Sequence, residues 1–188
     1  MGKLFDGIDA DLAQWIAAQH LFFVATAPLA ADGLVNVSPR GQDCFSVLGD
    51  LQVGWVDFTG SGVETIAHLR ENSRITLMWC AFDAPPRIVR LHGHGTVHPP
   101  GSPGYDDVVG RHPVHPSTRA VVTVDVSRVS DSCGYGVPLM DHVGERDQML
   151  RWAQAKGPEG VLAYRAQRNA TSLDGLPGLE DAVSDGSD

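Results

Sequence analysis

The sequence has no long hydrophobic run and little positive charge, and both absences narrow the class of protein. No apolar stretch approaches the roughly 20 residues needed to cross a bilayer, and Asp6 interrupts the N-terminus where a signal peptide would continue apolar. Lysine and arginine number 14 against 23 acids in 188 residues, for a formal net charge of -9. Because nucleic acids and anionic lipids bind clustered basic side chains, neither is expected as a partner. The expected location is the cytoplasm.

Paired cysteines and the common catalytic motifs are also missing. Cys44, Cys80 and Cys133 are far apart in the sequence, so neither a disulfide framework nor a structural zinc site is indicated. Without a Gly-x-Ser-x-Gly, Walker or His-Glu-x-x-His motif, the sequence does not support a hydrolase, a nucleotide triphosphatase or a metalloprotease. His92 and His94 alternate along a predicted strand, but no third ligand is identifiable, so no metal site is predicted. His112 and His115 lie in a proline-rich loop and are expected to face solvent.

What the sequence does contain is a succession of short strand-like segments. Seven apolar or alternating runs bounded by turn residues predict strands at 21–26, 34–38, 44–48, 51–58, 74–82, 87–98 and 120–129. Helical periodicity predicts an N-terminal helix that ends near His20, and a second helix over Glu64–Asn72. Since strands and helices do not alternate regularly, a closed antiparallel barrel is favoured over a parallel sheet. The predicted fold is mostly β, a β-barrel with flanking helices.

The length and the 43% hydrophobic content predict one domain, residues 1–181. Helical patterns over 145–156 and 158–168 predict a C-terminal helical extension of that domain. The last residues, 182–188, are small and acidic, which predicts a disordered tail.

The segment from Asp57 to Thr65 places two glycines and three hydroxyl residues where a strand ends and a helix begins. Such a junction presents free backbone N–H groups at the positive end of the helix dipole, which suits a phosphate. Gly60 and Gly62 would let the anion approach closely. The same residues also form a capping box, in which Ser61 caps the helix and Glu64 reaches back. The two interpretations are compatible and both stay open.

A longer ordered pattern resembles the FMN-binding split-barrel proteins of the pyridoxamine 5'-phosphate oxidase family. The resemblance rests on segments that cover nearly the whole chain: Val35-Asn36-Val37-Ser38-Pro39-Arg40-Gly41, Val56 to Gly62, Glu64 to Asn72, Cys80-Ala81-Phe82, Pro85 to Gly95, Cys133 to Pro138 and Ser172 to Leu179. It implies a six-stranded antiparallel split barrel and a homodimer that binds FMN at the subunit interface.

The resemblance also implies which residues bind the cofactor. Ser38 and Arg40 would lie on a strand that faces the flavin, and Arg40 could pair with its phosphate through two parallel hydrogen bonds. A second set would lie near the ribityl chain and phosphate: Thr59, Gly60, Ser61, Gly62 and Thr65. Arg90 and Arg87 would face the partner subunit's site. No catalytic residue is predicted.

Two departures separate this sequence from the vitamin-forming oxidases of that family. Glu64-Thr65 stands where those enzymes carry an Arg-Lys pair, and Leu176-Pro177-Gly178-Leu179 stands where they carry an Arg-Leu-x-Pro stretch. Oxidation of pyridoxamine phosphate is therefore not predicted.

The function predicted instead is an FMN-dependent oxidoreductase that passes hydride or electrons between a nicotinamide donor and a small organic acceptor. The alternatives are a deazaflavin-dependent reductase on the same fold, or a non-catalytic flavin-binding, haem-binding or interaction protein.

Overall fold

A computed structural model describes residues 2–83 and 85–179, and that part of the chain contains eight strands and four helices. The strands are β1 (Leu4–Phe5), β2 (Phe22–Thr26), β3 (Asn36–Arg40), β4 (Phe45–Gly49), β5 (Gln52–Phe58), β6 (Arg74–Cys80), β7 (Ile88–His98) and β8 (Thr118–Ser132). The helices are α1 (Ala10–Ala17), α2 (Glu64–Asn72), α3 (Tyr105–Val109) and α4 (Gln148–Arg168). The predicted acidic tail lies outside the described residues.

All eight strands belong to one antiparallel sheet, in the order β3-β2-β6-β7-β8-β5-β4, with β1 added along β8. The mostly β fold with flanking helices is confirmed. The sheet has two strands more than the six implied by the resemblance. The closed barrel favoured by the sequence is wrong for the described residues: the sheet is open, because β3 and β4 end the strand order and no ladder joins them.

The core lies where alternate residues of the long strands meet. Val122 and Val124 of β8 are fully buried, and the aromatic rings of Phe22, Trp55 and Trp79 pack together beside them. Burying each such large apolar side chain stabilises the fold by roughly 1.5–3 kcal/mol. This cluster sets the positions of β2, β5 and β6, which frame the site described below.

The bounds predicted for α2 are confirmed, but its predicted cap is wrong. The N-cap residue is Val63, which makes no side-chain capping hydrogen bond, and Ser61 is exposed. The helix ends at Ser73, which takes a left-handed conformation with φ of 58°. Packing of its buried face, which includes Ile66, therefore holds the start of α2 without a side-chain cap.

The predicted C-terminal helices are present as the two halves of α4. Gly157 has φ of 67° and ψ of 171°, so it breaks the helical path, and Pro158 opens the second half. Proline suits that position because the first turn of a helix needs no N–H from it. The first half begins at Gln148 instead of residue 145.

A comparison of two substitutions distinguishes a real helix cap from a predicted one. Asp9 caps α1, because its Oδ1 accepts the Leu12 N–H at 2.8 Å. We expect Asp9→Ala to lower the free energy of unfolding by about 1 kcal/mol. Ser61→Ala should change it by less than about 0.5 kcal/mol. Urea denaturation of both variants measures this, and equal losses would contradict the assignment of the caps.

Candidate functional site

A groove of about 700 Å³ lies beside the edge strand β3. Its lining comes from three parts of the chain: Pro39 and Arg40 of β3, Val56 and Phe58 of β5, and a wall of residues between 142 and 149. This volume falls within the roughly 300–1,000 Å³ typical of sites for small molecules and cofactors. The groove is therefore the primary candidate for a ligand-binding site.

Two of the predicted cofactor-binding residues carry hydrogen-bonding atoms that are not used, and one of the two, Arg40, lines this groove. Ser38 and Arg40 are two positions apart on β3, so their side chains point to the same side of the sheet. Ser38 Oγ and Arg40 Nε are both buried and have no hydrogen-bond partner within the described residues. Leaving a buried polar group unpaired costs about 1–3 kcal/mol. Such atoms are typical of a site that a ligand completes.

Arg40 is held in place by a buried acid. Its Nη1 lies 2.7 Å from Oδ1 of Asp57, whose side chain is fully buried, while that of Arg40 keeps 18% of its surface exposed. Burial by itself raises the pKa of Asp57, but the neighbouring Arg119 and Arg40 outweigh it and hold the pKa below its usual value. Asp57 is therefore ionised at neutral pH and fixes the direction of the Arg40 guanidinium.

Arg119 extends this network from the groove to the junction between β5 and α2. Its Nε donates to Oδ2 of Asp57 at 2.6 Å, and its Nη1 donates to the Gly62 carbonyl and to Asn169 Oδ1, each at 2.9 Å. Asn169 in turn donates to the Gly60 carbonyl at 3.1 Å. The arginine beside the groove and the two junction glycines thus belong to one connected set of hydrogen bonds.

The side chains predicted to bind phosphate at that junction already have protein partners. The Thr59 amide and hydroxyl both donate to the Ser117 carbonyl at 2.8 Å, and Arg165 Nε donates to Thr59 Oγ1 at 2.8 Å. Thr65 Oγ1 accepts from Asn36 Nδ2 at 3.1 Å. These bonds leave Ser61, which is exposed, as the hydroxyl residue of the junction that faces solvent.

The two other predicted residues lie away from the groove. Arg90 of β7 donates to Ser132 Oγ at 2.9 Å. Arg87 pairs with Asp131 at 3.2 Å and packs over the ring of Trp15. Neither lines the groove of its own chain.

The structure corrects one interpretation of the histidines. His112 and His115, in the proline-rich loop, were expected to face solvent. The His112 side chain is only 4% exposed and its Nε2 lies 2.8 Å from Ser46 Oγ. His115 Nδ1 lies 2.7 Å from Ser117 Oγ, and its ring packs against Phe58. His115 therefore supports Phe58, which lines the groove, and His112 ties its loop to β4.

Cys44 lines the groove but is unsuited to act as a nucleophile. Burial raises the pKa of its thiol to about 12, and thiol reactivity depends on the thiolate form. Its Sγ donates to the Gly41 carbonyl at 3.4 Å. Cys44, Cys80 and Cys133 are all free, as the sequence predicts.

Two comparisons by sequence match most of this chain to known proteins. The family model for pyridoxamine 5'-phosphate oxidase matches residues 8–133. The chain is 41% identical over 202 residues to the pyridoxamine 5'-phosphate oxidase family protein ustO of Aspergillus flavus, and the match covers 98% of this chain and 81% of that protein.

Two solved structures share the fold at low sequence identity. A candidate pyridoxamine 5'-phosphate oxidase of Lactobacillus delbrueckii aligns with a TM-score of 0.53 and 18% identity, over 68% of this chain and 98% of that one. A variant of HupZ from Group A Streptococcus aligns with a TM-score of 0.51 and 21% identity, over 66% of this chain and 99% of that one. The chain therefore has the mostly β split-barrel fold. The two sequence matches each cover more than half of the chain, and they show that it belongs to the pyridoxamine 5'-phosphate oxidase family.

Within the described residues, no helix combines the length and the hydrophobicity that a membrane-spanning segment needs.

Proposed function

We propose that this protein binds FMN in the groove beside β3 and acts as an oxidoreductase between a nicotinamide donor and a small organic acceptor. The unpaired, buried Arg40 Nε carries the proposal, because an anionic cofactor would supply the acceptor that this donor lacks. The unpaired Ser38 Oγ on the same strand face supports it. The family to which the chain belongs makes a flavin the first ligand to test.

The residues around the groove fit a ligand that is planar and apolar at one end and anionic at the other. Val56, Phe58 and Met149 offer apolar surface for a ring system. Arg40 would hold the anionic end, and Arg146 lines the same groove. When bound, the flavin would supply the redox chemistry, while these side chains bind it, orient it and exclude water.

The proposed cofactor site also includes the junction between β5 and α2, which would form one end of the site. The junction residues are Thr59, Gly60, Ser61, Gly62 and Thr65. Ser61 is the exposed hydroxyl among them, and the connected hydrogen bonds through Arg119 hold Gly62 at a fixed position relative to Arg40. In this proposal the junction shapes the end of the site, and Arg40 provides its charge.

A homodimer with the cofactor at the subunit interface is part of the same proposal. Leu34, Val35 and Val37 lie at or next to the edge strand β3, and they are 55%, 73% and 61% exposed. Exposed apolar residues grouped along a sheet edge are typical of an interaction surface. Arg90 would then serve the site of the second subunit. Native mass spectrometry of the purified protein measures the dimer and any retained cofactor together.

One observation favours a second cofactor, a deazaflavin, on the same fold. The carboxylate of Glu64 lies against Gly62 at the start of α2, so negative charge occupies the place where a phosphate would approach that helix. The Glu64 carboxylate and a phosphate bound at that position would repel each other. A cofactor whose anionic groups lie elsewhere would avoid this cost.

Titration of the cofactor-free protein tests the proposal. We expect FMN to bind one site per chain, with quenching of flavin fluorescence, and to bind more tightly than riboflavin, which lacks the phosphate. A deazaflavin is titrated beside them under the same conditions. If none of the three binds, the proposed function is wrong. If the deazaflavin binds more tightly than FMN, the second cofactor replaces the first.

A further inference from the structure

Two histidines and a glutamate from distant parts of the chain meet at the rim of the groove. His20 lies between α1 and β2, whereas His142 and Glu145 lie in the segment that leads into α4. Each offers one ligand atom, and these atoms lie within 4.8 Å of one another. His142 Nε2 is already 3.2 Å from Glu145 Oε1.

The imidazole rings of His20 and His142 are stacked, with centroids 3.6 Å apart and an angle of 11° between their planes. Two nitrogen ligands on one tetrahedral zinc ion are separated by about 3.3 Å, given Zn–N distances near 2.0–2.1 Å. Ligand atoms at the observed spacing need only side-chain rotation to reach one ion. Because all three residues are exposed, that rotation is unhindered by core packing and an ion can enter from solvent.

The segment that carries His142 and Glu145 is fixed near both ends by hydrogen bonds to other parts of the chain. The Met140 N–H donates to the Phe82 carbonyl at 2.9 Å, and Gln42 Nε2 donates to the Arg146 carbonyl at 3.2 Å. These two bonds tie the segment to residues that follow β6 and β3, and the pair of ligands lies beside His20 at the start of β2.

Gly144 gives this segment the backbone turn that places both ligands on one side. Its φ of 150° lies outside the range that other residues readily adopt. The turn leaves Val143 pointing into solvent, 99% exposed, while His142 and Glu145 remain within hydrogen-bonding distance. The backbone turn at Gly144 therefore brings His142 and Glu145 together and leaves the apolar Val143 unburied.

We propose that His20, His142 and Glu145 form a binding site for one divalent transition-metal ion. Two imidazoles and one carboxylate are the ligands that Zn²⁺ accepts in three-ligand sites, with a further position left open to water or substrate. The site borders the groove, so the bound ion fastens the wall between residues 142 and 149 to the start of β2. It needs no flavin and is independent of the proposed function.

Calorimetric titration of untagged, chelator-treated and flavin-free protein with ZnCl₂ tests the site. We expect one Zn²⁺ per chain with micromolar or tighter affinity. His142→Ala and Glu145→Gln should each weaken binding by at least the roughly 10- to 100-fold that is typical of losing even an indirect partner of a metal ligand. His94→Ala, which removes an exposed histidine of β7, should leave the affinity unchanged.

The visible absorption of bound Co²⁺ gives a second readout of the same ligands. We expect wild-type protein and the His94 variant to give the same spectrum, and His20→Ala to change both its intensity and its position. Millimolar affinity for Zn²⁺ in the wild type, or tight binding that survives the loss of His142, would overturn the proposal. Either result leaves the flavin titration unaffected, because that experiment is performed without metal.

Discussion

Replacing Asp57 with alanine should lower the free energy of unfolding by about 3–5 kcal/mol, as expected when one partner of a buried ion pair is removed. The carboxylate is fully buried and contacts Arg40 at 2.7 Å and Arg119 at 2.6 Å. Without it, Arg119 keeps its positive charge inside the protein, and its acceptors among the described residues are then the uncharged oxygens of Gly62 and Asn169. Urea denaturation followed by circular dichroism measures the loss.

A matched control comes from an acid at an exposed strand position. Asp125 of β8 is exposed and accepts one hydrogen bond from Gln52 at 3.1 Å. Asp125→Ala should change the free energy of unfolding by less than about 0.5 kcal/mol. Similar losses in the Asp57 and Asp125 variants would show that the buried network contributes no more than a surface contact.

The stabilisation by Asp57 should also depend on pH. Because its two arginine partners hold the pKa of Asp57 below its usual value in the folded protein, the unfolded chain binds a proton more readily. The stabilisation is complete above the unfolded pKa of about 3.9 and is lost as the pH falls through the lower folded value. The difference in stability between the wild type and the Asp57→Ala variant should therefore be largest near neutral pH and shrink below about pH 4.

Local sequence patterns predicted the elements of the fold better than their arrangement. The bounds of α2 and the break between the two halves of α4 follow from nearby glycine, proline and apolar spacing, and both were confirmed. The open order of the sheet depends on pairing between distant strands, such as β2 with β6 and β5 with β8. Sequence spacing does not determine such pairing. The strand β1 was missed because two residues, Leu4 and Phe5, are too few to show a period.

The candidate site shows the same difference between local patterns, which could be predicted, and contacts between distant residues, which could not. Strand alternation places Ser38 and Arg40 on one face, so that pair could be predicted from sequence. Asp57 could have been noticed as a single acid inside an apolar strand, since buried charges need partners. Its partner Arg119 and the more distant Asn169 could not, because only the folded chain brings them within hydrogen-bonding distance. The same holds for His20 and His142, which are separated by more than a hundred residues.

The proposed contact between Arg40 and the cofactor phosphate predicts a specific loss of selectivity. Arg40→Ala should weaken FMN binding by about 10- to 100-fold, because a hydrogen bond to a charged group contributes roughly 1.5–3 kcal/mol. Riboflavin, which has no phosphate, should bind the variant almost as it binds the wild type. Fluorescence titration of both ligands against both proteins measures the four affinities.

The ratio of the FMN and riboflavin affinities separates a lost phosphate contact from general damage to the site. Arg40 also pairs with Asp57, so its removal can disturb the groove, but such a disturbance weakens both ligands equally and leaves their ratio unchanged. Arg128→Ala removes an exposed arginine of β8 and should alter neither affinity. Arg40→Lys keeps the charge and loses the planar pair of donors, so it should retain part of the preference for FMN. If the Arg40→Ala variant prefers FMN over riboflavin as strongly as the wild type does, the phosphate is held elsewhere, and the amides at the start of α2 become the next candidates.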